Sequence, residues 1–265
     1  VAIGALFLAV LAAACGGDGG GEPESGGSTP APSSRATGTP SGTTQVRAGL
    51  AELNAYKCSL KLEGQGGPLT ELQQIYSSSG SAAGPIVFEA LVTYVKPDKS
   101  QLTLKLGEET FVQTTIARQQ WTTIGTLTLG PNAVAAQSPS ELSMCASFWD
   151  EGFASGASAF QCTGGRESLN GVQTRKCAID RATFDQVRQF LGGVLSDPES
   201  GIGDLSRFEM QLWVTEGTNS LAGGLPVRLR ADMAGKDASS RDFTVKIEMD
   251  VTNINDGGLN VTAPR

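Results

Sequence analysis

The stretches FEMQLWVT (208–215), VRLRADM (227–233) and FTVKIEMDVT (243–252) decide the fold, because each alternates apolar and polar residues with a period of two. Phe208, Met210, Leu212 and Val214 fall on one side of the first. Val227, Leu229, Ala231 and Met233 do so in the second, and Phe243, Val245, Ile247, Met249 and Val251 in the third. The intervening residues are mainly Glu, Arg, Asp, Lys and Thr. Strands of this pattern form an antiparallel sheet with one dry face and one wet face.

Upstream the pattern continues in shorter pieces. Tyr56 to Leu62 alternates, and a Gly/Ser-rich stretch follows around 64–84. Ile86 to Lys96 is apolar on both faces and turns at Pro97-Asp98. Leu102, Leu104 and Leu106 alternate with polar residues, Val112, Thr114 and Ile116 continue, and Trp121 to Ile124 reads as a further short strand. Asn170-Gly171 marks a hairpin. Three segments carry helical spacing. Gln45 to Ala55 places Val46, Leu50 and Leu53 on one face. Ser138-Pro139-Ser140-Glu141 is a capping box opening a helix with Leu142, Cys145, Trp149 and Phe153 inward. Thr183 with Gln186 opens a third, with Phe184, Val187, Leu191 and Val194 inward. The predicted class is α+β: a curved antiparallel sheet, or half-barrel, with about three helices on its concave face.

The N-terminal part reads differently. VAIGALFLAVLAAAC (1–15) is uncharged and apolar, and too short for a transmembrane helix, which needs about 20 residues. It fits the apolar region of a secretion signal, entered part-way. Leu11-Ala12-Ala13-Ala14-Cys15 resembles a bacterial lipobox, which makes Cys15 the expected lipidation site and the membrane its partner. Residues 16–44 hold no aromatic or large aliphatic side chain, so they read as a disordered tether with an r.m.s. span of roughly 30 Å. Residues 45–265 are then a single domain.

Four further cysteines, Cys58, Cys145, Cys162 and Cys177, suit two disulfides in an exported protein. Three connectivities are possible. Cys162 and Cys177 flank the Asn170-Gly171 turn, diagonal rather than directly opposed, and a bulge at Gly164-Gly165 would bring them together; the reading leans to 162–177 with 58–145.

The sequence has no His, a net charge of −7, and 18% charged residues. These exclude His-based catalysis and His-ligated zinc, and argue against a nucleic-acid surface. No G-x-S-x-G elbow, Ser-x-x-Lys, P-loop or GxGxxG occurs. Asn253 to Gly258 has the look of a calcium loop, but Pro264 stands where the closing Glu belongs, so the segment reads as a tight turn. The expectation is a protein without catalytic residues, metal or cofactor.

Lipid anchor, spacer, Ala55-Tyr56-Lys57-Cys58-Ser59-Leu60 and the following meander resemble LolA/LolB and the actinobacterial LppX/LprG lipoproteins. So do Tyr94-Val95-Lys96-Pro97-Asp98, Glu167-Ser168-Leu169-Asn170-Gly171-Val172, Gly224-Leu225-Pro226-Val227-Arg228 and Thr262-Ala263-Pro264. The resemblance implies a half-barrel enclosing an apolar cavity for acyl chains, and carriage of lipid in a bacterial cell envelope. The expected cavity residues are Trp149, Phe208, Met210, Leu212, Leu229, Met233, Phe243, Ile247 and Met249. The alternative is an envelope module that docks or senses a protein partner, with a packed interior and no ligand.

Overall fold

The computed structural model describes residues 46–70, 84–153, 160–178 and 202–264, apart from 48, 108, 161, 219, 220 and 238. The leader with Cys15, the tether and the helix expected from Thr183 lie outside these. Among the described residues eleven strands follow one another in the chain. They are β1 Ala55–Gly66, β2 Ile86–Val95, β3 Lys99–Leu106, β4 Glu109–Ile116, β5 Gln119–Ile124, β6 Leu127–Ala133, β7 Arg166–Leu169, β8 Val172–Ala178, β9 Ile202–Thr215, β10 Pro226–Asp237 and β11 Asp242–Thr252. All pair antiparallel in one open sheet of order β6-β5-β4-β3-β2-β1-β11-β10-β9-β8-β7.

This order is two meanders joined at a seam. Strands β2 to β6 step outward on one side of β1, and β11 back to β7 step outward on the other. The seam is the β1–β11 ladder, where Cys58 faces Val251 and Leu60 faces Met249. The connection from β6 to β7 must therefore travel from one edge of the sheet to the other. Its described part is a helical segment that crosses the dry face: Pro139–Leu142, Met144–Ala146 and a π-helical stretch Ser147–Phe153.

The expectation of about three helices on the concave face of an α+β half-barrel is corrected. The described residues are nearly all sheet, 59% strand and 10% helical, and the sheet is open. Two local causes are visible. In the segment read as a helix from Gln45, Gly49 sits at φ 131° and Leu53 is extended, so only the 3₁₀ turn Leu50–Glu52 forms and β1 begins at Ala55. In the capping-box helix, Ser143 is extended (φ −134°, ψ 107°) and re-caps the chain by accepting from Ala146 N, which splits the helix after one turn. The capping box itself forms: Ser138 N donates to Glu141 Oε2 and Glu141 N donates to Ser138 Oγ.

Disulfides join Cys58 to Cys145 and Cys162 to Cys177. The first pins the helical segment to β1. At the second, the β7–β8 ladder ends at Arg166 opposite Arg175, and Gly164 N instead bonds Lys176 O. That close approach needs glycine, since a Cβ on Gly164 would lie 2.7 Å from the Lys176 carbonyl oxygen.

Candidate functional site

Register decides which residues share the dry face. Across the seam, Cys58, Leu60 and Leu62 of β1 stand beside Val251, Met249 and Ile247 of β11. Leu229 and Ala231 of β10 and Leu212 and Met210 of β9 continue the same rows. Trp149, Met210, Leu212, Leu229, Met233, Phe243, Ile247 and Met249 are all buried in one continuous core with Leu142, Cys145 and Ala146 of the helical segment. Phe208 is half-buried and packs against it. The residues expected to line a cavity thus lie together in one packed core, with Trp149 contributed by the helical segment itself and Phe208 at its margin.

Polar contacts fix that segment in place. The Asp150 carboxylate accepts from the backbone N–H groups of Gly49, Leu50 and Ala51 at 2.8, 3.1 and 2.9 Å. It caps the 3₁₀ turn from a distant part of the chain. Trp149 Nε1 donates to Arg47 O at 3.0 Å, and the Tyr56 hydroxyl donates to Ser143 Oγ at 2.6 Å in a buried pair. Burial pushes the Tyr56 phenol well above its ordinary pKa. Tyr94 packs against Tyr56 with ring centroids 5.3 Å apart. Its hydroxyl is buried with no hydrogen-bond partner among the described residues, and burial, aided by the charge of Asp98, raises its pKa too.

The same face continues over β2 to β6, where its character changes. One row across the strands is Ala90, Leu104, Phe111, Ile124 and Leu127; the next is Val92, Leu102, Gln113, Thr122 and Leu129. The row beyond, Tyr94, Ser100, Thr115, Gln120 and Asn132, is polar but uncharged. Three aliphatic side chains here stay in water: Ile124 is 51% exposed, Leu127 59% and Leu129 48%. They form an apolar strip at the outer end of a face whose inner end is core. Sequence reading missed this strip because β6 was not recognised as a strand. The available signal was the alternation of Leu127 and Leu129 directly after the Gly125-Thr126 turn, interrupted by Gly130-Pro131.

Other surfaces are already satisfied. A depression of 310 Å³ on the wet face is lined by Glu209, Gln211, Arg230, Asp232, Lys246 and Glu248, whose charges alternate. Glu216 takes hydrogen bonds from Arg175 and Arg166. Burial raises its carboxyl, but the two guanidinium groups outweigh that and hold it below the ordinary carboxylate range. Trp213 lies on the wet face yet is buried, its indole N–H donating to Glu167 Oε1 and Lys176 Nζ 5.0 Å from the ring. Asn253 to Gly258 is a tight turn, with Asp256 accepting from Gly258 N and Asn253 Nδ2. No described helix is long and apolar enough to cross a membrane, and among the described residues no three His, Cys, Asp or Glu side chains group as metal ligands.

No known protein family and no curated protein matches this sequence. Among solved structures, the chain is similar to a domain from Vibrio parahaemolyticus assigned to outer membrane lipoprotein sorting. The identity is 8% and the TM-score 0.23, over 78% of this chain and 87% of that one.

Proposed function

We propose that this domain binds a lipid or another apolar chain on the β2–β6 half of its dry face, without catalysing a reaction. In this reading it is held in a bacterial cell envelope by a lipid on Cys15, with residues 16–44 as tether. The observation that carries it is the strip of Ile124, Leu127 and Leu129, about half exposed and continuous in register with Leu104 and Phe111. Apolar surface left in water at the end of a core is the feature that partition exploits. Covering it is favourable by about 25 cal/mol per Å² and needs no covalent step.

The packed state of the seam half supports a second reading, in which the strip docks an envelope protein and no lipid is held. Native mass spectrometry of the domain extracted from its own envelope separates the two. A carrier retains lipid, and that lipid is displaced by added fatty acid. A domain that emerges bare, and that takes up no fluorescent fatty acid after purification, leaves only the docking reading.

A further inference from the structure

The two edges of the sheet are built differently. At one, β7 is four residues long and carries Arg166 and Glu167, which bond Glu216 and Trp213. Charge and brevity are the usual guards against a further strand adding to an edge. At the other, β6 is exposed along its whole length and carries no charge. It lies within residues 119–140, the longest stretch of the chain without Asp, Glu, Lys or Arg.

The β5–β6 hairpin determines which backbone groups that edge offers. Ile124 pairs with Leu127 across the two-residue turn Gly125-Thr126, with Gly125 at φ 58°. The pair that closes such a turn exchanges backbone hydrogen bonds, so the next pair, Thr123 with Thr128, does not. Side chains come closer in a pair of the second kind, and the two threonine hydroxyls are 3.0 Å apart. The N–H and C=O of Thr128 therefore point away from β5, out of the sheet edge. Beyond Leu129 the register shifts, and Pro131 has no N–H to give. The open template is short and centred on Thr128.

We infer that β6 pairs antiparallel with β6 of a second copy of this chain, about a two-fold axis at Thr128, as a weak dimer. The segment is its own complement, since Leu127-Thr128-Leu129 reads the same in both directions. In this pairing each Thr128 exchanges two backbone hydrogen bonds with its counterpart. Each Leu127 then stands beside Leu129 of the other copy, in the closer kind of pair, and the exposed leucines of both copies cover one another. Charge favours a second copy as the occupant. A chain of net charge −7 repels itself over most of its surface, and a neutral edge is where self-pairing costs no repulsion. The same edge offers nothing to attract an acidic or a basic peptide. The pairing is isologous and uses up both β6 edges, so it closes at two copies. Its short template puts it below the size of a permanent dimer, so monomer and dimer exchange with concentration.

This inference does not rest on lipid binding, and its test separates the two. Sedimentation velocity of the full chain carrying Cys15→Ser should show a dimer share that grows with concentration. Thr128→Pro removes the outward N–H, a change that edge strands accept, and should weaken the dimer at least about tenfold. A fatty acid bound by the wild type should still bind this variant, because Ile124, Leu127 and Leu129 remain. The register has its own readout, which does not depend on how well the proline variant folds. Thr128→Cys should form a disulfide between copies on mild oxidation, because facing residues of a hydrogen-bonded pair lie about 5.5 Å apart at Cα. Thr126→Cys should not, since the pairing sets it opposite Gly130 of the other copy. Three results overturn the assignment: no dimer at about 1 mM protein, a dimer untouched by Thr128→Pro in a folded chain, or cross-linking at 126 as readily as at 128.

Discussion

Replacing Ile124, Leu127 and Leu129 together by serine gives the most direct quantitative test of the apolar strip. Complete burial of a leucine or isoleucine side chain contributes about 1.5–3 kcal/mol. These three are already covered by about half, being 51%, 59% and 48% exposed, so a ligand that covers the remainder gains about 1 kcal/mol from each. The triple variant should therefore lose about 3 kcal/mol of binding, somewhat over a hundredfold in Kd. Folding should be spared, because substitutions at exposed positions usually stay within about 0.5 kcal/mol. The assay is titration of a fluorescent fatty acid into wild type and variant, with thermal melts of both as the control for folding. If the wild type binds and the folded variant binds within threefold of it, the strip is not where the ligand sits.

Four further outcomes follow from the packing and polar contacts. Leu212→Trp should destabilise by about 1–3 kcal/mol in urea titration, because Leu212 is fully buried in a packed core; an unchanged midpoint would reveal a void there. Asp150→Ala strips three backbone N–H groups of their acceptor and should cost about 2–4 kcal/mol, with Asp150→Asn falling between; a melting temperature within a degree of wild type would remove the cap from the account. Loop entropy makes the Cys58–Cys145 bond, closing 87 residues, worth about 4.5 kcal/mol and the Cys162–Cys177 bond, closing 15, about 3 kcal/mol, so the paired-alanine variant of the first should melt lower than that of the second. The Glu216 carboxyl is held below its ordinary range, so its contribution is complete above the ordinary carboxylate pKa and is lost as pH falls through the lowered folded value. Acid melts of Glu216→Gln should therefore be flatter than wild type below about pH 4.

The long strands were legible because each of β9, β10 and β11 has one face in the core and the other in water, so every second side chain reports its environment. The capping box at Ser138 was legible for the same local reason, since its two hydrogen bonds involve residues three apart. The sheet order was not. Nothing near Cys58 indicates that β1 takes β11 as a neighbour, and that pairing is settled by which apolar rows match across the whole chain. Nor could periodicity reveal that the first helical segment shrinks to a single 3₁₀ turn after Gly49, because the cap that stabilises that turn belongs to Asp150. The apolar strip eluded the reading because β6 is exposed throughout, so its alternation serves no core and is broken by Gly130-Pro131.

The seam between the meanders also sets the order in which the protein can assemble and come apart. Within each meander, neighbouring strands mostly meet soon after they are made, as Val95 meets Lys99 and Ile124 meets Leu127. The β1–β11 ladder instead waits for nearly the whole domain, because Cys58 must find Val251. Such long-range closure is slow relative to hairpin formation. A nascent chain would emerge with the β2–β6 meander already formed and its dry face bare along its full width. Hydrogen exchange in the finished protein should run in the reverse order, with amides of β6 opening first and those of β1 and β11 last. The outer strip is thus the part of the sheet that loosens first, while the seam keeps the two meanders together.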